Sequence, residues 1–209
     1  MNKILFIDVG TCRGSEFSSA MKIWSNMDFL LIEPNPKNYQ FLLKKFGDNK
    51  KISMWYRAVS NKTGVKKIYV RDIDGKEYTD GTTFHNEIPE MITSKQKKVF
   101  SINTISTTDL LLPLKDKYEK IILHLNCVGG EFDIIEDILH CEECKDINLS
   151  ILVRFYHHPQ WLNCPQAYKS VCKGMELDNI HYVEHRTVAP KITFLEGMKR
   201  LMKEINHET

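Results

Sequence analysis

The side chains able to do chemistry fall where apolar runs end. Asp8-Val9-Gly10-Thr11-Cys12-Arg13-Gly14 closes a run that begins at Ile4, and Glu33-Pro34-Asn35 follows Phe29–Ile32. Arg57-Ala58-Val59, Asn126-Cys127-Val128-Gly129-Gly130-Glu131 and His157-His158 end three later runs. Parallel strands would bring all of these tips to one crevice beyond their carboxyl ends. Gly10 and Gly14 permit positive φ and close approach of a ligand to backbone, just ahead of a helix N-terminus. A dinucleotide turn reads Gly-x-Gly-x-x-Gly; here the middle glycine, the one that admits a pyrophosphate, is absent. Asp8 adds negative charge where a phosphate would be repelled, so the turn suits a ligand carrying an ammonium and a sulfonium. A plain tight strand-to-helix turn would use the same glycines.

Glu33 lies about twenty residues beyond the glycine turn, at the end of the second run. There an acid can take both hydroxyls of a ribose, or simply be a solvated loop acid. His157 and His158 supply imidazoles near their own pKa, and either is a candidate general base, with Glu131 as partner. The alternative for the pair is a solvated loop or packing ahead of Pro159. His124 alternates with Leu123 and Leu125 and is expected to pack against a helix. Tyr156 and Trp161, past a strand end, are candidates for stacking on a sugar or adenine, whereas Trp55, Tyr56 and Phe155 are expected in the core.

These residues need a scaffold, and the periodicity supplies one in strand-helix-strand units. Strands are expected at Lys3–Val9, Phe29–Ile32, Ile52–Val59, Lys66–Val70, Val99–Ile105, Ile121–Leu125, Leu149–Phe155, His181–Glu184 and Lys191–Leu195. Helices are expected at Glu16–Trp24, Asn38–Phe46, Glu131–Leu139, Gln166–Met175 and Glu196–Ile205. A short helix starts at Thr108, whose hydroxyl is placed to cap it. Phe41, Leu42 and Phe46 are expected to point inward. The turn Asn61-Lys62-Thr63-Gly64 predicts a hairpin between the third and fourth strands. The polar stretch 72–98 has no sustained period and is expected to be an insertion, either a lid or a disordered loop, with His85 as a group it could carry to a substrate. The expected fold class is α/β: one domain over residues 1–209, a mainly parallel sheet with an antiparallel last strand and helices on both faces.

Composition narrows the partners. With 209 residues, 42% hydrophobic and 27% charged, the chain can bury a sizeable core. A net charge of +2 argues for neither a nucleic-acid nor a membrane-surface partner. No apolar run reaches membrane-helix length, and without a signal-peptide pattern at its start the chain is expected in the cytoplasm. The six cysteines are expected as reduced thiols. Cys141-Glu142-Glu143-Cys144 has zinc-knuckle spacing that Cys164 and Cys172 could complete, but their seven-residue separation does not repeat it. No metal is required.

Taken in order, Asp8-Val9-Gly10-Thr11-Cys12-Arg13-Gly14, Glu33-Pro34-Asn35-Pro36, Arg57-Ala58-Val59-Ser60-Asn61-Lys62-Thr63-Gly64, Thr107-Thr108-Asp109-Leu110 and Asn126–Glu131 resemble the blocks of the FkbM-type methyltransferases. That family is a Rossmann-like, class I branch of the S-adenosylmethionine-dependent enzymes, and the resemblance covers about residues 3–158. It implies a pocket for S-adenosylmethionine built from Asp8, Gly10, Thr11, Gly14, Glu33, Pro34, Asn35, Arg57, Ala58 and Asn126. In it the first turn holds the methionine end, Glu33 the ribose, and Arg57-Ala58 flank the adenine. It further implies methyl transfer to a hydroxyl of a sugar, glycan or polyketide-like small molecule. The chain departs from the family at Thr11-Cys12, where Ala-Asn is usual, and in the block Lys-x-Asp-x-Glu-Gly-x-Glu. There His124 replaces the lysine, the amide of Asn126 replaces the first acid, the second acid is missing, and Glu131 is kept. An amide cannot serve as a base. The alternatives are therefore a cofactor-binding remnant without catalysis and, against the missing glycine, a nicotinamide-dependent oxidoreductase.

Overall fold

A computed structural model describes residues 3–73, 76–84, 96–153 and 194–207. Its centre is a parallel sheet of β1 (Ile4–Val9), β2 (Asp28–Ile32), β3 (Ile52–Trp55), β8 (Lys120–Leu125) and β9 (Leu149–Val153), in the order β3-β2-β1-β8-β9. Strands covered on both faces need continuous apolar sequence, and β8 and β9 are buried at every position. The chain leaves β1 to one side for β2 and β3 and returns on the other side for β8. The strand order therefore reverses between β1 and β8.

Side chains of β1 alternate between two cores. Leu5, Ile7 and Val9 pack with α3 (Thr107–Leu111) and α4 (Gly130–His140) through Leu110, Ile134 and Ile138. Phe6 faces the opposite core with α1 (Ser15–Ile23), α2 (Pro36–Phe46) and α5 (Phe194–His207), meeting Phe17, Leu42, Phe46 and Met198. Phe17 stands edge-on to both Phe29 and Phe46, at 5.2 and 5.1 Å between ring centres. Asn35 caps α2, its side-chain oxygen accepting from Lys37 N at 2.9 Å, and Pro36 opens the helix where an N–H would have no partner.

A second, four-stranded sheet stands beside the first: β4 (Ala58–Ser60), β5 (Gly64–Ile73), β6 (Lys76–Thr83) and β7 (Gln96–Ser106), in the order β4-β7-β5-β6. It corrects several expectations. The run Ile52–Val59 is two strands in two sheets, broken at Tyr56-Arg57. β4 and β5 do not form a hairpin, because β7 lies between them, parallel to β4 and antiparallel to β5. The stretch 72–98 is not simply a loop: β6 pairs antiparallel with β5, and β7 begins at Gln96. Ser106, not Thr108, caps α3 by accepting from Asp109 N at 3.0 Å. Phe41 is 43% exposed rather than inward. Phe194 and Leu195, expected to end a strand, are the first turn of α5. The antiparallel last strand expected from sequence falls otherwise on residues 191–193, outside the described residues, as do the expected elements at 166–175 and 181–184.

Gly10, with φ +78°, sits where the tips of β1 and β8 touch. A Cβ there would stand 2.4 Å from the Asn126 carbonyl oxygen. Gly10→Ala is therefore expected to destabilise the protein by at least about 2 kcal/mol, from left-handed backbone strain of ~1–2 kcal/mol plus the clash. Urea unfolding checks this; an unchanged midpoint would contradict the close contact.

Candidate functional site

The first turn is tied to the second strand. Gly10 N donates to the Ile32 carbonyl at 2.9 Å, and Gly14 N to the Thr11 carbonyl at 2.8 Å. Thr11 is buried, and its hydroxyl donates to the backbone carbonyl of Asp8 at 2.8 Å. Between them Cys12 adopts φ +53°, uncommon for a residue with a side chain. Its N–H donates to Glu33 Oε2 at 2.7 Å, and Asn35 N donates to Glu33 Oε1 at 2.8 Å. Glu33 thus joins the glycine turn to the start of α2 while buried. Burial pushes its carboxyl up to about 7, the two backbone donors opposing that shift. The Asn38 side chain is a third hydrogen-bonding partner that opposes the rise. Gly14, with φ +71°, would set a Cβ 2.8 Å from the Phe46 ring, so this glycine lets α1 pack against α2.

At the tip of β8 the expected roles change. Asp8 is buried, and its Oδ1 lies 2.7 Å from Nδ1 of His124, its register partner on β8. His124 Nε2 lies 3.8 Å from Glu16 Oε2, and Asn126 Nδ2 donates to that same oxygen at 2.9 Å. His124 therefore does more than pack, although its ring does stack 6.2 Å from Phe6. Neither His124 nor Glu16 was among the residues expected to line the site. A signal existed in the sequence: Asp8 and His124 each interrupt an apolar strand one residue before its end.

Glu131, expected to assist a base, is instead fully buried and turned onto its own loop. Cys127 N donates to its Oε1 at 2.8 Å and Gly129 N to its Oε2 at 2.6 Å. Burial raises its carboxyl and those donors oppose the rise. The turn it holds is strained, with Val128 at φ +41° and Gly129 at φ +91°. Desolvation, then the carboxylate of Glu131, hold the Cys127 thiol well above its ordinary value, which disfavours a thiolate nucleophile. His157, His158, Tyr156, Trp161 and His85 lie outside the described residues, as do Cys164 and Cys172. Cys141 and Cys144 are both buried thiols, and desolvation with a hydrogen bond to Cys141 pushes Cys144 up to about 12.

Between the two sheets the tips enclose a hollow of about 30 Å³. Of the expected residues it brings together Gly10, Pro34, Arg57 and Ala58, with Cys127, Thr83 and Phe84 on the far wall. Arg57 lies over the Trp55 ring at 5.0 Å. Thr83 donates to the Val128 carbonyl at 2.7 Å, and Asn35 Nδ2 donates to Thr82 at 3.3 Å, so the second sheet walls the hollow. Asp8, Thr11, Gly14, Glu33, Asn35 and Asn126, also expected at the site, are not among the residues that line it.

The Glu33 geometry has a consequence for pH. Its folded-state value lies above the ordinary 4.5, so between 4.5 and about 7 the folded protein holds more protons than the unfolded chain. That contribution is complete below pH 4.5 and is lost as pH rises through about 7. Unfolding midpoints are expected to fall between pH 5 and 8, and Glu33→Gln should flatten the fall, leaving the same-signed share of Glu131. Identical pH slopes in the two proteins would remove Glu33 as the titrating group.

No family model matches the chain, and no curated protein matches it. Among solved structures it is similar to a pyridine nucleotide-disulfide family oxidoreductase from Enterococcus faecalis V583, at 12% identity and a TM-score of 0.21. The likeness covers 90% of this chain and 46% of the other, so the chain spans about half the length of that structure. A superposition this loose carries no argument about function. What stands is the fold: an α/β chain with a mostly parallel central sheet and helices on both faces. Among the described residues no helix is long and apolar enough to cross a membrane.

Proposed function

We propose that this protein binds S-adenosylmethionine beyond the carboxyl ends of β1, β2 and β8 and transfers its methyl group to a hydroxyl of a small-molecule or glycan acceptor. The observation that carries the reading is the junction at Glu33, where the acid ending the second strand holds the backbone N–H of the glycine turn. The donor set fits the cofactor: Glu16, joined by Glu33 where it is ionised, places negative charge beside the turn, which favours a cationic sulfonium nucleoside and opposes a pyrophosphate. The FkbM-type motif order supports the same assignment.

The cofactor supplies an electrophilic methyl on a good neutral leaving group; the chain's own residues bind, align and exclude water. Glu33, at the end of the second strand, is the proposed acceptor for the ribose hydroxyls. Pro34, Ala58 and the Arg57–Trp55 stack border the adenine side. Ligand pockets span roughly 300–1,000 Å³, so on this reading the hollow widens to admit a nucleoside. The acceptor hydroxyl must lose a proton, and His157 or His158 remains the proposed base. Glu131, closed onto its own turn, instead holds the β8 tip in shape.

A second reading is a binding module without turnover. It is favoured by Asn126, whose amide is committed to Glu16 where the family has an acid.

Calorimetry separates these readings. S-adenosylmethionine and S-adenosylhomocysteine are expected to bind and NAD is not, and Glu33→Ala should weaken the first two at least about tenfold. Binding of NAD alone would refute the proposal. Slow methyl loss from bound cofactor in the presence of hydroxylated acceptors separates the enzyme from the module.

A further inference from the structure

Phe41 has the spacing of an inward residue, yet it is 43% exposed. What surrounds it is cationic. The Arg13 guanidinium, reaching from the glycine turn, and the Lys45 ammonium each stand 5.8 Å from the centre of its ring. Lys44 and Lys45 follow Phe41 at the i, i+3 and i, i+4 spacings, so all three share one flank of α2. Lys45 Nζ also donates to Ser18 Oγ on α1 at 3.3 Å, and Lys22, one turn beyond Ser18, carries the row onto that helix. Arg13, Lys22, Lys44 and Lys45 are all exposed. Among the described residues none of these four pairs with a carboxylate, whereas Lys3, Lys66, Lys115 and Lys145 each do. Residues 36–51 hold five lysines and one acid, Asp48, so the net charge of +2 averages over a strongly basic face.

We propose that this face binds single-stranded nucleic acid, the cations taking phosphates and Phe41 stacking on a base. The proposal stands apart from the cofactor reading and does not depend on it. Lysines in the last turn of a helix have an ordinary use, complementing its dipole, and that use accounts for Lys22, Lys44 and Lys45 one at a time. It does not account for Arg13, which stands ahead of the α1 N-terminus, where the dipole disfavours a cation. Nor does it account for an apolar ring left in water between cations. Four cations without acids among them repel one another until counter-charge arrives, which calls for a polyanion. The ring then selects among polyanions. A base has a face that stacks on an aromatic side chain whatever the sequence, a run of carboxylates has none, and a duplex keeps its bases within its own stack. At 5.8 Å both cations are near the outer limit of a cation–ring contact, so the ring is flanked without being covered. One apolar side chain among lysines is too little to enter a bilayer.

The test is fluorescence anisotropy of a labelled single-stranded oligothymidylate titrated with the full chain across a range of salt concentrations. Affinity is expected to fall with salt at a log–log slope of about −2 to −3, as for three or four phosphate contacts on a single strand. Lys44→Gln combined with Lys45→Gln should weaken binding about tenfold and make that slope shallower by about 1.4. Phe41→Ala should weaken binding about tenfold at an unchanged slope, and Phe41→Trp should restore it. Phe41→Leu, with the same loss expected, serves if circular dichroism shows that the alanine variant does not fold. Lys115→Gln, whose lysine is paired with Asp146, should bind as the wild type does. Absence of binding at low salt overturns the proposal, as does full affinity without the Phe41 ring or a loss in Lys115→Gln as large as in the double variant. Tighter binding to polyglutamate, to a duplex of the same length or to phosphatidylserine vesicles than to the single strand overturns it too.

Discussion

The structure turns on one contact, where the tips of β1 and β8 meet. Asp8 and His124 are register partners on neighbouring parallel strands, buried together and joined at 2.7 Å. Charge taken out of water is costly to leave alone; a buried pair with one partner removed typically forfeits about 3–5 kcal/mol. The pair therefore fixes which residues of the two strands face each other. Two residues further along, Gly10 lets the Asn126 carbonyl approach to a distance no Cβ would allow. Everything at the head of the sheet follows from this seam, including the direction in which Asn126 and Glu16 point.

On either side of the seam the same device recurs. Glu33 ends β2 and spends both oxygens on backbone N–H groups of Cys12 and Asn35. Glu131 opens α4 and spends both on Cys127 and Gly129. Each acid satisfies donors that a turn leaves without partners. Each is buried, which raises its carboxyl, and each is opposed by the donors it serves. The devices differ in reach. Glu33 links two separate loops, whereas Glu131 closes a single turn.

The second sheet gives this crevice a wall. Thr82 and Thr83 at the end of β6 bond to Asn35 and to the Val128 carbonyl, spanning the tips of β2 and β8. Lys66 on β5 reaches Asp133 on α4 at 3.1 Å and ties the sheet to the helix behind it. The hollow that results is lined by residues of both sheets, which is why the bend at Tyr56-Arg57 matters. It sends Ala58 and Val59 away from β3 and across the opening.

Much of this was legible in the amino-acid order because it rests on local rules. Continuous apolar runs ended by Asp8, Glu33 and Asn126 mark buried parallel strands and their tips, and Pro34 and Pro36 mark the end of the second strand, though the helix that Asn35 caps begins two residues before the expected Asn38. Gly10 and Gly14 mark turns needing positive φ. The side-chain partners at those tips were not legible, because they depend on strands more than a hundred residues apart in sequence meeting in one register, as Asp8 and His124 do. Thus Asp8 carried the right charge for the crevice but was claimed by an imidazole, and Glu131 by its own turn. The stretch 72–98 has polar alternation too weak to declare a strand, and became one in part because β5 offered an unpaired edge. Sequence determined where the chain turns and which acids stand at the turns. Tertiary structure decided which of those acids face inward, since hydrogen-bond partners for a buried carboxylate are chosen by proximity in space.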